Sequence, residues 1–169
     1  MELLTKLEQW LAGVYKASPR LSTSAKKSIT EIWPIVALVF GALQILAAFE
    51  LWHLGHQVNQ VANLVNSLSQ YYGGTTLHLN AFYWLSLVIV ALDGVLLLWA
   101  YPALKRRQKS GWNLLFYASL LNLLYGIFSA FNNYGGVSSL LLQIIVSAVV
   151  LYFLFQIRDQ YSSIKAPKQ

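Results

Sequence analysis

The sequence predicts an all-α fold: an integral membrane four-helix bundle with an N-terminal amphipathic helix lying at the membrane interface. Three observations predict it. Hydrophobic residues make up 57% of the 169 positions and charged residues only 11%, well below the roughly 25% charge of soluble domains. Four apolar stretches reach the roughly 20 residues that a helix needs to cross a bilayer core. All twelve Lys and Arg residues fall in segments that an even number of crossings places on one side.

The elements follow in chain order. Residues 2–15 form the amphipathic helix, with Leu3, Leu7, Trp10, Leu11 and Val14 sharing a face and Lys6, Glu8 and Gln9 lying off it. Such a helix is expected to lie on the inner membrane surface. No apolar core with a small-residue cleavage site follows, so residues 1–31 read as helix and linker rather than a secretion signal. Residues 17–25 are rich in Ser, Thr and Pro. Ser22 or Ser24 is expected to cap the next helix, and Pro34 to start or kink the first span.

The membrane domain covers residues 32–157. Its spans are expected at about 32–52, 81–104, 112–131 and 137–157. The outer segment 53–74 carries Leu54, Val58, Val61, Val65 and Leu68 at helical spacing. It is either an extension of the first span above the membrane or a helix lying on the outer surface. It ends in Tyr72-Gly73-Gly74, echoed by Tyr134-Gly135-Gly136 in the second outer loop. The echo suggests two duplicated hairpins, and two turns needing glycine would look the same. Residues 158–169 are a short tail.

Orientation follows from charge. Lys6, Lys16, Arg20, Lys26 and Lys27 precede the first span, Lys105, Arg106, Arg107 and Lys109 join the second and third, and Arg158, Lys165 and Lys168 follow the fourth. Loops 53–80 and 132–136 contain no Lys or Arg. The positive-inside bias therefore places both termini in the cytoplasm of a multi-pass cell-membrane protein. Trp33, Trp99 and Trp112 are expected to mark the inner interface, and Trp52 and Trp84 the outer one.

Candidate functional residues are few. Asp93 lies about 12 Å from the inner end of the second span, at 1.5 Å per residue. A carboxylate at such depth costs about 2.5–3.5 kcal/mol on the insertion scale, so it should face other helices rather than lipid. Gln44, Asn122 and Ser147 lie at similar depth on the other spans. Each belongs to a stripe of small or polar residues: Ala37, Gly41, Gln44 and Ala48; Ser119, Asn122, Gly126 and Ser129; Ser139, Gln143 and Ser147. Small residues let membrane helices approach and amides bond across the gap. A polar layer at mid-depth is therefore expected. It serves either as structural glue or as a proton- or solute-binding site.

Glu50, His53 and His56 follow one another at i, i+3 and i+6, and His78 lies before the second span. They are candidates for zinc or haem. A helix fans the first three over roughly 120°, which disfavours joint ligation. Ordinary interfacial residues account for them, and no cofactor is expected. Lys105, Arg106, Arg107 and Lys109 form a basic loop able to attract lipid headgroups. As a topology determinant it is already accounted for. Nucleic acid is not the expected partner, because that needs a larger folded basic surface. The absence of Cys excludes disulfides, thiolate sites and Cys nucleophiles. No nucleophile elbow, phosphate loop or paired carboxylates appear.

Between Tyr101 and Leu115 an apolar helix ends, Lys105, Arg106, Arg107 and Lys109 make a short basic turn, and Gly111-Trp112 opens the next helix. This pattern resembles small, largely uncharacterised four-helix membrane proteins of bacteria. The resemblance implies the four-span architecture and no activity. The expected role is a non-enzymatic interaction or accessory protein of the bilayer, with a membrane-protein partner or a second copy. The alternatives are a small oligomeric transporter or proton-coupled carrier using Asp93, and a haem- or metal-binding membrane protein.

Overall fold

A computed structural model describes residues 2–72, 79, 81–130 and 136–161. Among these the chain is all-helical: α1 (Glu2–Lys16), α2 (Thr23–Tyr72), α3 (Ala81–Lys105), α4 (Lys109–Ala130) and α5 (Gly136–Gln156), closed by a 3-10 turn at Arg158–Tyr161. From α2 to α5 each helix packs on the next. Paired positions run in opposite senses along each pair, as in Gly41 with Leu98 and Gly126 with Gln143, so neighbours are antiparallel. Three helices, α2, α3 and α4, are long and apolar enough to cross a membrane; the described apolar run of α5 is shorter, Leu141–Gln156.

Helix α2 starts where its cap predicts. The Ser22 hydroxyl accepts the Ala25 N–H at 3.2 Å, satisfying a donor that the first turn leaves free. Pro34 neither starts nor ends the helix but sits inside it. Proline has no N–H to give the carbonyl four residues back, here Thr30. That carbonyl instead accepts the buried Tyr161 hydroxyl at 3.4 Å, so the Arg158–Tyr161 turn repairs the gap that Pro34 opens. Of the two geometries expected for 53–74, the extension is observed: α2 is one helix of 50 residues, roughly 75 Å at 1.5 Å per residue.

The α3–α4 connection is a Schellman turn. Gln108 N–H donates to Ala103 O and Arg107 N–H to Leu104 O, both at 2.9 Å, while Arg107 takes the left-handed conformation at φ 53°. This pair of bonds satisfies the last carbonyls of α3. Gly111 lets the second helix close in. A Cβ there would meet Leu104 N at 2.6 Å.

The tightest core lies at this basic end. Ala100, Leu104, Trp112, Phe116, Leu154, Ile157 and Tyr161 are almost fully buried there, with Leu11, Tyr15, Ile29 and Trp33 packed around them. Trp112 is not the interfacial anchor its neighbouring charges suggest. It is fully buried, stacks on Phe116 and donates its indole N–H to Leu154 O at 2.8 Å. Trp99, by contrast, is exposed. Helix α1 leans along α5: Glu8 meets Arg158, and the Tyr15 hydroxyl reaches Ala148 O at 3.1 Å. Its expected apolar face is divided. Leu7 and Leu11 are half-buried while Trp10 and Val14 are exposed, and the side chain of Leu3 lies outside the described residues.

The opposite end is different. Beyond Trp52 the α2 helix carries Leu54, Val58, Val61, Leu64 and Leu68 exposed. The glycine turns after Tyr72 and before Gly136, and the tail beyond 161, lie outside the described residues.

Candidate functional site

Asp93 is the centre of the site and is 2% exposed. Close helix approach puts it there. A Cβ on Gly94 would lie 3.2 Å from Gln44 Cβ, and one on Gly41 would lie 3.1 Å from Gly94 O. The two glycines thus let the α2 and α3 backbones cross close together. The crossing brings Gln44 beside Asp93, and Gln44 Nε2 donates to Asp93 Oδ2 at 2.7 Å. From α4, Asn122 Nδ2 donates to the same oxygen at 2.9 Å and to Ala118 O at 3.1 Å. Three of the four expected members of the polar layer therefore meet on one carboxylate oxygen.

Ser147, the fourth, is buried on α5 but no described hydrogen bond joins it to the others. Helix α5 enters through Gln143, whose Nε2 donates to Asn122 O at 3.2 Å. Gly126 makes this possible, because a Cβ there would fall 2.3 Å from Gln143 Cγ. Gln143 lies on the expected small-and-polar stripe of its span. Its partner is a backbone carbonyl, and residue types do not announce which carbonyl is free. A second polar pair, Tyr125 OH to Ser86 Oγ at 3.1 Å, also joins α3 to α4; Tyr125 is absent from the expected stripe because the aromatic ring hides its hydroxyl among apolar residues. The Ser139 side chain lies outside the described residues.

Two buried oxygens in the layer have no partner: Asp93 Oδ1 and Gln44 Oε1. Both residues line a cavity of about 230 Å³ that also touches Trp33, Phe40, Asn122 and Leu154. Its walls are mostly apolar, and the two unpartnered oxygens themselves have almost no accessible surface. Buried polar groups are costly when unpaired. A donating group that reached Asp93 Oδ1 and Gln44 Oε1 would relieve that cost.

Among the described residues the remaining metal-ligand candidates do not assemble. His53 tilts against Phe49 at 4.9 Å and His56 against Trp52 at 4.5 Å. Glu50, His53 and His56 are all exposed, and His78 lies outside the described residues. No group of three His, Cys, Asp or Glu among the described residues is placed to hold a metal. The basic loop is split rather than gathered into one patch. Arg107 reaches Glu31 at 3.8 Å, Lys109 reaches Glu8 at 4.0 Å, and Lys105 and Arg106 are exposed.

No family model, no curated protein and no solved structure matches this chain.

Proposed function

We propose that the chain is a four-pass integral membrane protein, with α2 to α5 crossing as a bundle and both ends in the cytoplasm, and that it acts by contact as an accessory or interaction protein. One observation carries this reading: α2 outruns its neighbours and presents an uncharged apolar stripe. A bilayer core is about 30 Å thick, less than half the length of this helix. The stripe Leu54, Val58, Val61, Leu64 and Leu68 therefore stands beyond the membrane, where exposed apolar surface is unfavourable without a cover. An uncharged stripe of this kind fits the apolar helical face of a second membrane-anchored chain. Helix α1 sits at the inner interface in this reading, with Trp10 and Val14 turned toward lipid.

The test is native mass spectrometry of the protein released gently from its own membrane. The parent chain should retain a partner, and Val58→Ser, Val61→Ser, Leu64→Ser and Leu68→Ser together should release it. A partner held equally well by this variant would sink the reading. Topology is checked separately, with single Cys substitutions in the Cys-free chain: Gln60→Cys should label only from outside.

The unpartnered oxygens of Asp93 and Gln44 favour a second reading, a small oligomeric carrier whose proton or cation rests on Asp93. It requires Asp93→Asn to abolish solute uptake in vesicles while the protein still folds. Undiminished uptake by Asp93→Leu would remove it.

A further inference from the structure

At the basic end, a cavity of about 660 Å³ opens between α1, the linker after it, the first turns of α2 and α4, and the end of α5. Five cations line it, Lys16, Arg20, Lys26, Lys109 and Arg158, against one carboxylate, Asp159. Two carboxylates offset part of this charge. Lys26 pairs with Asp159 at 3.4 Å, and Glu8 behind the wall pairs with Arg158 and Lys109. Three positive charges remain unmatched within this set, and Lys16 and Arg20 make no ion pair among the described residues.

The positive-inside bias accounts for the sign of these residues but not for their convergence. They come from separate segments, and the fold holds them around one space. Pro19 O accepts both Tyr152 OH at 2.7 Å and Gln156 Nε2 at 3.1 Å, and Leu21 N–H donates to Gln156 Oε1 at 3.3 Å. The turn that carries Arg20 is thus pinned to α5 on both sides. Arg158 is fixed between Glu8 and the Trp112 ring, 5.5 Å from its centroid. Holding cations together has a cost that an anion removes, and guanidinium and ammonium groups pre-set in this way favour phosphate oxygens. Tyr15, stacked on Phe155 at 5.4 Å, gives the cavity an aromatic wall for whatever the phosphate is attached to.

We infer that this cavity is a binding site for a phosphate-bearing anion with an organic body, either a phospholipid headgroup or a free phosphorylated molecule. The site shares only Lys109 with the basic loop, and it does not depend on what α2 docks.

The experiment uses the full chain in two settings. In detergent, thermal unfolding is followed against inorganic phosphate and glycerol phosphate. In bilayer discs, native mass spectrometry counts lipids retained from phosphatidylcholine with and without phosphatidic acid. Lys16→Gln with Arg20→Gln removes two exposed cations from the site, and Lys105→Gln with Arg106→Gln removes two outside it. The expected result is at least a tenfold loss of binding in the first pair and parent-like binding in the second. Saturable stabilisation by glycerol phosphate alone assigns a soluble ligand; retention of phosphatidic acid alone assigns a headgroup. Equal losses in both pairs, or no bound phosphate in either setting for the parent chain, overturn the site.

Discussion

The two ends of the helix array draw on the same kinds of apolar residue and are finished in opposite ways. At the basic end, Leu104, Trp112, Phe116 and Leu154 are sealed beneath α1 and the final 3-10 turn. At the opposite end, among the described residues, Phe49, Leu64 and Leu142 are about 60% exposed or more. Apolar burial is the main source of stability. The first end therefore carries its own cover, and the second leaves more apolar surface open among the described residues. Stability should accordingly be concentrated at the basic end, and a graded series of substitutions can test this.

The largest effect is expected at Trp112. Trp112→Ala removes a fully buried ring and its hydrogen bond, at a cost of about 3–5 kcal/mol. Leu142→Ala, at a position 65% exposed, should stay within about 0.5 kcal/mol of the parent. Unfolding of both variants in the same detergent gives the contrast, and equal losses would break the comparison.

Next comes Tyr161. Burial pushes its phenol up to about 12, with Arg107 pulling the other way. Its pKa is thus higher in the folded than in the unfolded chain, where it lies near 10. The sign follows: stability is fully present below pH 10 and falls as pH rises toward and through 12, by about 2–3 kcal/mol. Ionisation also removes the donor that serves Thr30 O. Tyr161→Phe should flatten the alkaline loss in a pH series of melting curves.

The boundary between the two ends is the Asp93 layer. Gln44→Leu and Asn122→Leu should each cost about 1–3 kcal/mol by stripping a donor from a buried carboxylate. The double variant should depart from the sum of the two, since both donors share Asp93 Oδ2. Strict additivity in a double-mutant cycle would show that the layer does not act as a unit. The one stabilising change in the series is Gly13→Ala on α1, where nothing lies within 4 Å of the added Cβ. It should stabilise by about 0.4–1 kcal/mol.

Much of this is legible in the chain itself. Ser22 marks the start of α2, the basic run marks the α3–α4 turn, and Asp93, Gln44 and Asn122 can be paired by depth alone. Depth works because a helix rises by a constant step, so residues equally far from an end meet if they face one another. Facing is the harder question. Ser147 lies at the right depth without joining the layer, while Gln143 reaches Asn122 only across the bare backbone of Gly126. Trp112 shows the same limit, because interfacial tryptophan and core tryptophan look alike beside a basic loop. The basic cavity is illegible for a different reason. Its five cations are spread from residue 16 to residue 158, and only tertiary folding brings them together.

Helix α2 also has a mechanical character. Its crossing with α3 at Gly41 and Gly94 divides it unequally: roughly 27 Å of helix lies toward Thr23 and roughly 46 Å toward Tyr72, at 1.5 Å per residue. The crossing is a fulcrum and the helix a lever with a short inner arm. Lys26, on the wall of the basic cavity, rides on the short arm, and Leu68 rides near the tip of the long one. Any rocking about the fulcrum swings the outer tip about 1.7 times as far as the inner end, by the same rise per residue. Rocking that began around the cations would therefore be larger at the apolar stripe than at its source.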